Sequence, residues 1–317
     1  MPGVDVVSIV DPDPEKLARA RRVVPGAVTR SSFAEAVDST ALDFACLAIP
    51  VPALPSLALQ AVEAGVPSLI EKPTAPSEEE ALAVIEEAER QGVMICVGHV
   101  ERFNPAVRAL KRKLGEGAIG RIYQVHARRL SPFPRRDSML GVALDLATHD
   151  IDVIRFLTDS EVERVFAETA RRVHHETEDL ICATLRLDNG ITALLEVNWL
   201  TPTKVRQLNV TGEGGMFVVD YLTQDLCFYE NPSAQTEWET LSEMRGVAEG
   251  DMIRYALDRR EPLLVQWEAF LQALRTGSPP PVSAYEGLAA LSTARAIQAA
   301  GDRHETVLPS YRTLAAT

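Results

Sequence analysis

The chain has 317 residues, 46% of them hydrophobic, which is enough to bury a sizeable core and to fill two domains. Its 32 basic residues stand against 45 acidic ones, and the net charge of -13 excludes a general nucleic-acid or anionic-membrane binder. Any anionic ligand must therefore meet a local cluster of cations.

The first strand candidate is VDVVSIVD, closed by Asp11 and followed by the helix PEKLARARRV. A short helix SFAEAVD, the strand ALDFACLAIP, the helix ALQAVEAGV and the strand PSLIEKP follow, an alternation that signals a parallel sheet with helical crossovers. The strands are nearly continuous apolar runs, as expected when helices cover both sheet faces. Ser32 with Glu35 and Ser77 with Glu80 form capping boxes at helix starts, and Gly92 closes the helix IEEAERQ. A last parallel strand, VMICVGH, leads to ERFNP, where Asn104 can cap and Pro105 open the next helix.

Beyond about Gly115 the pattern changes to alternating strands with hairpin signals, such as DLICATLRL and ITALLEVNWL around Asp188-Asn189-Gly190. DLATHDIDVIRFL reads as one helix, and PLLVQWEAFLQALRTG and AYEGLAALSTARAIQAAG as two more. The expected fold is α/β: a parallel Rossmann domain over residues 1–103, then an α+β domain over 104–317 with a large, mainly antiparallel sheet. No apolar run approaches the roughly 18 residues of a spanning helix, and acidic Asp5, Asp11 and Asp13 replace a basic leader. Cys46, Cys96, Cys182 and Cys227 are scattered without metal-ligand spacing. A cytoplasmic protein with free thiols and no metal site is expected.

Three features carry chemistry. An acid at the end of the second strand of a dinucleotide fold holds the ribose hydroxyls, about 20 residues past a glycine fingerprint; Asp11 suits that place, and equally a helix-capping turn. Counting back puts the fingerprint before residue 1, because the glycine cluster Gly212, Gly214 and Gly215 reads as a hairpin. Glu71-Lys72-Pro73 ends a strand at the carboxyl edge of the sheet, where doubly wound folds place ligands. Asp145, His149 and Asp152 are spaced four and three apart on one predicted helix face, where a carboxylate can orient an imidazole that acts as general base; Asp150 and Asp152 also suit a solvated helix surface.

Together these features resemble the glucose-fructose oxidoreductase, inositol dehydrogenase and MocA (Gfo/Idh/MocA) family. The resemblance rests on Glu71-Lys72-Pro73, Gly98-His99, Asp145 with His149, and the VTGEGGMFVVD hairpin, in that order along the chain. It implies an NAD site lined by Asp11, Ile49, Pro50, Glu71 and Lys72, with Lys72, His149 and Asp145 acting at a substrate hydroxyl. VGHVERFNPAV and SPFPRRDSMLGVALDLATHDID resemble the branch that oxidises the 3-hydroxyl of UDP-N-acetylglucosamine. That implies a substrate site of Arg102, Asn104, Arg129, Arg135, Asp145 and His149, with Arg128 and Arg136 adding positive charge for a diphosphate. NAD is favoured over its 2'-phosphate form because Asp11 would repel the phosphate.

The missing fingerprint implies a parallel sheet lacking its first strand and helix, split between the strand ending at Asp11 and the one ending at Pro50. Three readings stand: a UDP-sugar dehydrogenase, an inositol or simple-sugar dehydrogenase, or a shortened, non-catalytic chain that binds a sugar nucleotide or a partner. A homodimer or homotetramer is expected from the open face of a large sheet.

Overall fold

The computed structural model describes residues 3–134, 140–173, 176–232 and 250–311. The chain divides into two compact units, Met1–Gly98 with Phe270–Tyr285, and His99–Ala269 with Glu286–Thr317. The sequence boundary at 103/104 thus lies at 98/99, and part of the C-terminal helical region belongs with the first unit.

In the first unit, β1 (Ser8–Val10), α1 (Pro14–Val23), β2 (Val28–Arg30), α2 (Phe33–Ser39), β3 (Ala45–Leu47), α3 (Leu54–Glu63), β4 (Ser68–Ile70), α4 (Glu78–Gln91) and β5 (Ile95–Val97) alternate as the apolar pattern requires. All pairings among these strands are parallel, but they form two sheets, β1-β2 and β3-β4-β5. The expected division of the sheet is present: β1 and β3 each have one described strand neighbour. Its packing follows. β4 and β5 are fully buried, whereas α1 buries none of its 10 residues and is held by local devices. Asp13 accepts the Glu15 N–H at its start, and Arg21 and Arg22 face the carbonyl end of the helix dipole.

The second unit contains α5 (Pro105–Gly115), β6 (Ile122–Leu130), α6 (Thr148–Thr158), β7 (Val162–Ala170), β8 (Leu180–Leu187), β9 (Thr192–Asn198), β10 (Val205–Gly212), β11 (Gly215–Asp220), β12 (Asp225–Glu230) and β13 (Met252–Arg254). Two further helices follow, α7 (Pro262–Thr276) and α8 (Ala284–Arg303). Eight strands run in the order β13-β12-β11-β10-β6-β9-β8-β7, antiparallel throughout except for the β6-β9 pair. The alternation read from the sequence appears as a buried face (Val125, Ala127, Leu185, Val197, Leu208, Phe217) backing onto a more open one. Gly212 and Gly215 close the β10-β11 hairpin as expected. None of the described helices is long and apolar enough to cross a membrane.

Candidate active site

In the first unit the candidate residues gather at the carboxyl ends of parallel strands. Glu71 follows β4, its N–H donating to the Leu47 carbonyl at 3.0 Å, and Lys72 precedes Pro73 through a cis bond. Gly98, just past β5, makes this edge compact: its N–H reaches the Ile70 carbonyl at 2.8 Å, and a Cβ would stand 3.1 Å from Glu71 Oε2. Only glycine avoids that contact. Ile49 and Pro50 follow β3, with Pro50 opening a 3-10 turn over Val51–Ala53. Asp11 follows β1; its carboxylate accepts the Asp13 N–H at 2.9 Å and lies 3.8 Å from Lys16 Nζ. The Asp11 carboxylate thus braces the turn that leads to the Asp13 cap of α1 and stays partly exposed at the strand end.

In the second unit the structure revises the predicted single helix. Ala143–Ala147, which includes Asp145, is a π-helical segment, and α6 begins only at Thr148. The Thr148 N–H reaches back to the Ala143 carbonyl, so four residues make slightly less than one turn there instead of slightly more. Buried Glu178 fixes the start: it accepts the Ala143 N–H at 3.0 Å and Gln298 Nε2 at 3.2 Å. Gly141 leaves it room, since a Cβ there would come within 2.2 Å of Glu178 Oε1.

Asp145 and His149 are both partly open to solvent, whereas Asp150 and Asp152 are 1% and 0% exposed. The reading of the latter two as helix-surface acids is corrected by this burial. Arg102, in the turn Val100–Phe103, holds Asp152 through two hydrogen bonds of 2.7 Å each, Nε to Oδ2 and Nη2 to Oδ1, and donates from Nη1 to Glu286. Arg129 on β6 holds Asp150 at 2.6 and 3.0 Å and Glu101 at 3.0 Å, with the Tyr221 ring 5.3 Å away. Burial opposes both arginine charges, but the carboxylates outweigh it and raise their pKa values above the ordinary guanidinium level. His99 is buried with Nε2 3.9 Å from Asp152 Oδ1.

These contacts change the candidate substrate set. Arg102 and Arg129, expected to face a diphosphate, are buried and bidentate to carboxylates of α6, so the geometry gives them the task of fixing that helix. Asn104 is likewise buried; it accepts the Ala106 N–H as the cap of α5 and donates to the Tyr221 carbonyl. Arg128 points to the other sheet face, paired with Glu196 at 2.8 Å. Arg135 and Arg136 lie outside the described residues. What sequence reading missed is the set Glu101, Glu178, Arg206 and Tyr221 around α6. Only strand register brings Arg206 opposite Arg129, and register is not visible until β6 and β10 pair.

A Rossmann-type unit together with an α+β unit carrying an Asp-His helix is the two-part build of a nicotinamide-dependent oxidoreductase. Residues 1–99 match the family model described as oxidoreductase family, NAD-binding Rossmann fold, and residues 107–218 match the GFO/IDH/MocA C-terminal domain; the chain belongs to the Gfo/Idh/MocA family. It is 28% identical over 240 residues to UDP-N-acetylglucosamine 3-dehydrogenase of Acidithiobacillus ferrooxidans, covering 76% of this chain and 72% of that one. It is 27% identical over 201 residues to inositol 2-dehydrogenase of Corynebacterium glutamicum, covering 62% of this chain and only 60% of the relative. The fold superposes on the crystal structure of the Acidithiobacillus enzyme with a TM-score of 0.83 at 24% identity, over 94% of this chain and 90% of that one.

The described residues fit NAD in part. Asp11 offers a carboxylate at a strand's carboxyl end for ribose hydroxyls. No parallel strand among them is followed by a glycine loop leading into a helix, so a pyrophosphate finds no such cradle there.

Proposed function

We propose that the chain is an NAD-dependent dehydrogenase oxidising the 3-hydroxyl of a UDP-sugar, with UDP-N-acetylglucosamine as the substrate. The observation that carries this reading is the second-unit helix: Asp145 and His149 are its partly open acid and imidazole, while the neighbouring Asp150 and Asp152 are locked beneath by arginines. Such a base stands on a helix that buried ion pairs hold in place. His149 takes the hydroxyl proton, Asp145 favours the resulting imidazolium, and Lys72 hydrogen-bonds the sugar oxygen as it becomes a carbonyl. Asp11, Ile49, Pro50, Glu71 and Lys72 are the residues that would hold NAD, which when bound would supply the hydride acceptor. The proposal includes a cytoplasmic location and a homo-oligomeric state, the latter suited to the open face of the large sheet.

His149→Ala and Lys72→Ala should each reduce NADH formation by about 100-fold or more, the usual contribution of a general base, with sugar-nucleotide affinity retained. Wild-type turnover in both variants overturns the assignment. A second reading, inositol oxidation, draws on the inositol dehydrogenase relative. NADH production with myo-inositol but not with UDP-N-acetylglucosamine would select it.

A further inference from the structure

Arg206, the second residue of β10, lies directly opposite Arg129 of β6 in the antiparallel register, on the sheet face that α6 covers. Like charges in directly opposed positions repel, and this pair is removed from water: Arg129 is fully buried and Arg206 is half-buried. The two are not treated alike. Arg129 is neutralised by Asp150 and Glu101, whereas among the described residues Arg206 donates to carbonyls, Leu130 at 2.7 Å and Val205 at 3.0 Å, both from Nη1. No described carboxylate lies within ion-pair distance of it, in a protein with 13 more acidic than basic residues. The imbalance is felt: burial first, then Arg129, hold the Arg206 pKa down to about 10, against the weaker pull of Asp150, Glu101 and Asp145. The last of these is the acid of the candidate Asp-His helix, so the unmatched cation and the proposed chemistry share one end of the second unit.

Keeping a half-buried cation opposite another cation costs stability, and such costs persist where a ligand removes them. We propose that Arg206 is a substrate-binding residue whose free guanidinium edge, Nε and Nη2, receives the diphosphate of a sugar nucleotide. The inference rests on the sugar-nucleotide reading above for the identity of its ligand. Arg206 takes the role that sequence reading gave to Arg102 and Arg129, whose forks are occupied by protein carboxylates. A planar guanidinium with two parallel N–H donors matches a diphosphate oxygen pair.

The test compares wild type, Arg206→Gln, Arg206→Lys and, as a control on the opposite sheet face, Arg128→Gln. Calorimetric titration with inorganic pyrophosphate and with UDP-N-acetylglucosamine reads affinity, and thermal melting without ligand reads stability. Arg206→Gln should weaken binding of both ligands at least tenfold, with Arg206→Lys between it and wild type and Arg128→Gln unchanged. Unliganded Arg206→Gln should melt at or above the wild-type temperature, because it relieves a repulsion; a structural clasp on the Leu130 carbonyl would instead lower it. Equal pyrophosphate affinity in wild type and Arg206→Gln, no pyrophosphate binding by wild type, or a clearly lowered melting temperature overturns the inference. Pyrophosphate binding that depends on Arg206, in a protein that does not oxidise UDP-N-acetylglucosamine, overturns the UDP-N-acetylglucosamine reading and leaves the anion site standing.

Discussion

Arg129→Met removes the cation from between Asp150 and Glu101 while keeping most of the side-chain volume. In the wild type its guanidinium spends three donors on these acids, at 2.6, 3.0 and 3.0 Å. Breaking a buried pair by deleting one partner costs about 3–5 kcal/mol, because the other charge stays buried without compensation. Arg206 stands across the strand and offsets part of that loss, which places the expected cost near the lower end, about 3 kcal/mol. At about 2–4 °C per kcal/mol for a unit of this size, the melting temperature falls by roughly 6–12 °C. Urea unfolding followed by tryptophan fluorescence measures the free energy directly, and buried Trp199 reports from the same unit. The double variant Arg129→Met/Asp150→Leu supplies the sharper check. Replacing both ends of the pair by apolar groups should cost at least about 1 kcal/mol less than the sum of the single changes. A single variant within about 1 kcal/mol of wild type, or strict additivity in the cycle, refutes the claim that this ion pair fixes α6.

Three further outcomes are expected. Glu161 accepts two hydrogen bonds from Arg155, at 2.8 and 2.6 Å, and one from Tyr311 at 2.7 Å; burial pushes its pKa up, but these contacts win and hold it below the ordinary value. Its stabilisation is therefore complete above about pH 4.3, the usual unfolded value, and is lost as the pH falls through the lower folded one. The stability gap between wild type and Glu161→Gln should close on acidification, and a gap that is constant from pH 7 to pH 3 contradicts this. Cys46 reaches solvent, yet burial of its thiol and then Glu71 raise its pKa to about 11, so alkylation by iodoacetamide should accelerate about tenfold per pH unit between pH 8 and 10; a rate already level at pH 9 would refute it. Calorimetry of the 317-residue chain with NAD should give a dissociation constant of about 1 mM or weaker, since the described strands offer no glycine loop and helix start for the pyrophosphate, and binding tighter than about 10 μM would show the cradle to be elsewhere.

Periodicity and punctuation were enough to read most of the fold. Apolar runs separated by capped helices specify a parallel α/β unit, alternating runs around Asp188-Asn189-Gly190 specify a meandering antiparallel sheet, and both kinds of signal act over a few residues. The same local logic placed Glu71, Lys72 and Gly98 at strand ends, marked the Asn104 cap, and foresaw the division between β1 and β3 from an incomplete strand count. The Asp145-His149 pair was legible as spacing; its π-helical setting was not, because Glu178 and Gln298 fix that turn from distant positions.

The arginines show where sequence stops. Arg102, Arg128, Arg129 and Arg206 are chemically identical in the chain, and a cluster of them reads as an anion site. Tertiary structure divides them by register and burial: Arg128 faces outward to Glu196, Arg102 and Arg129 are spent on acids of α6, and Arg206 keeps part of its donor set. A guanidinium's function depends on whether a carboxylate already occupies its fork, and that is settled by residues 21 and 50 positions away, as in Arg129–Asp150 and Arg102–Asp152.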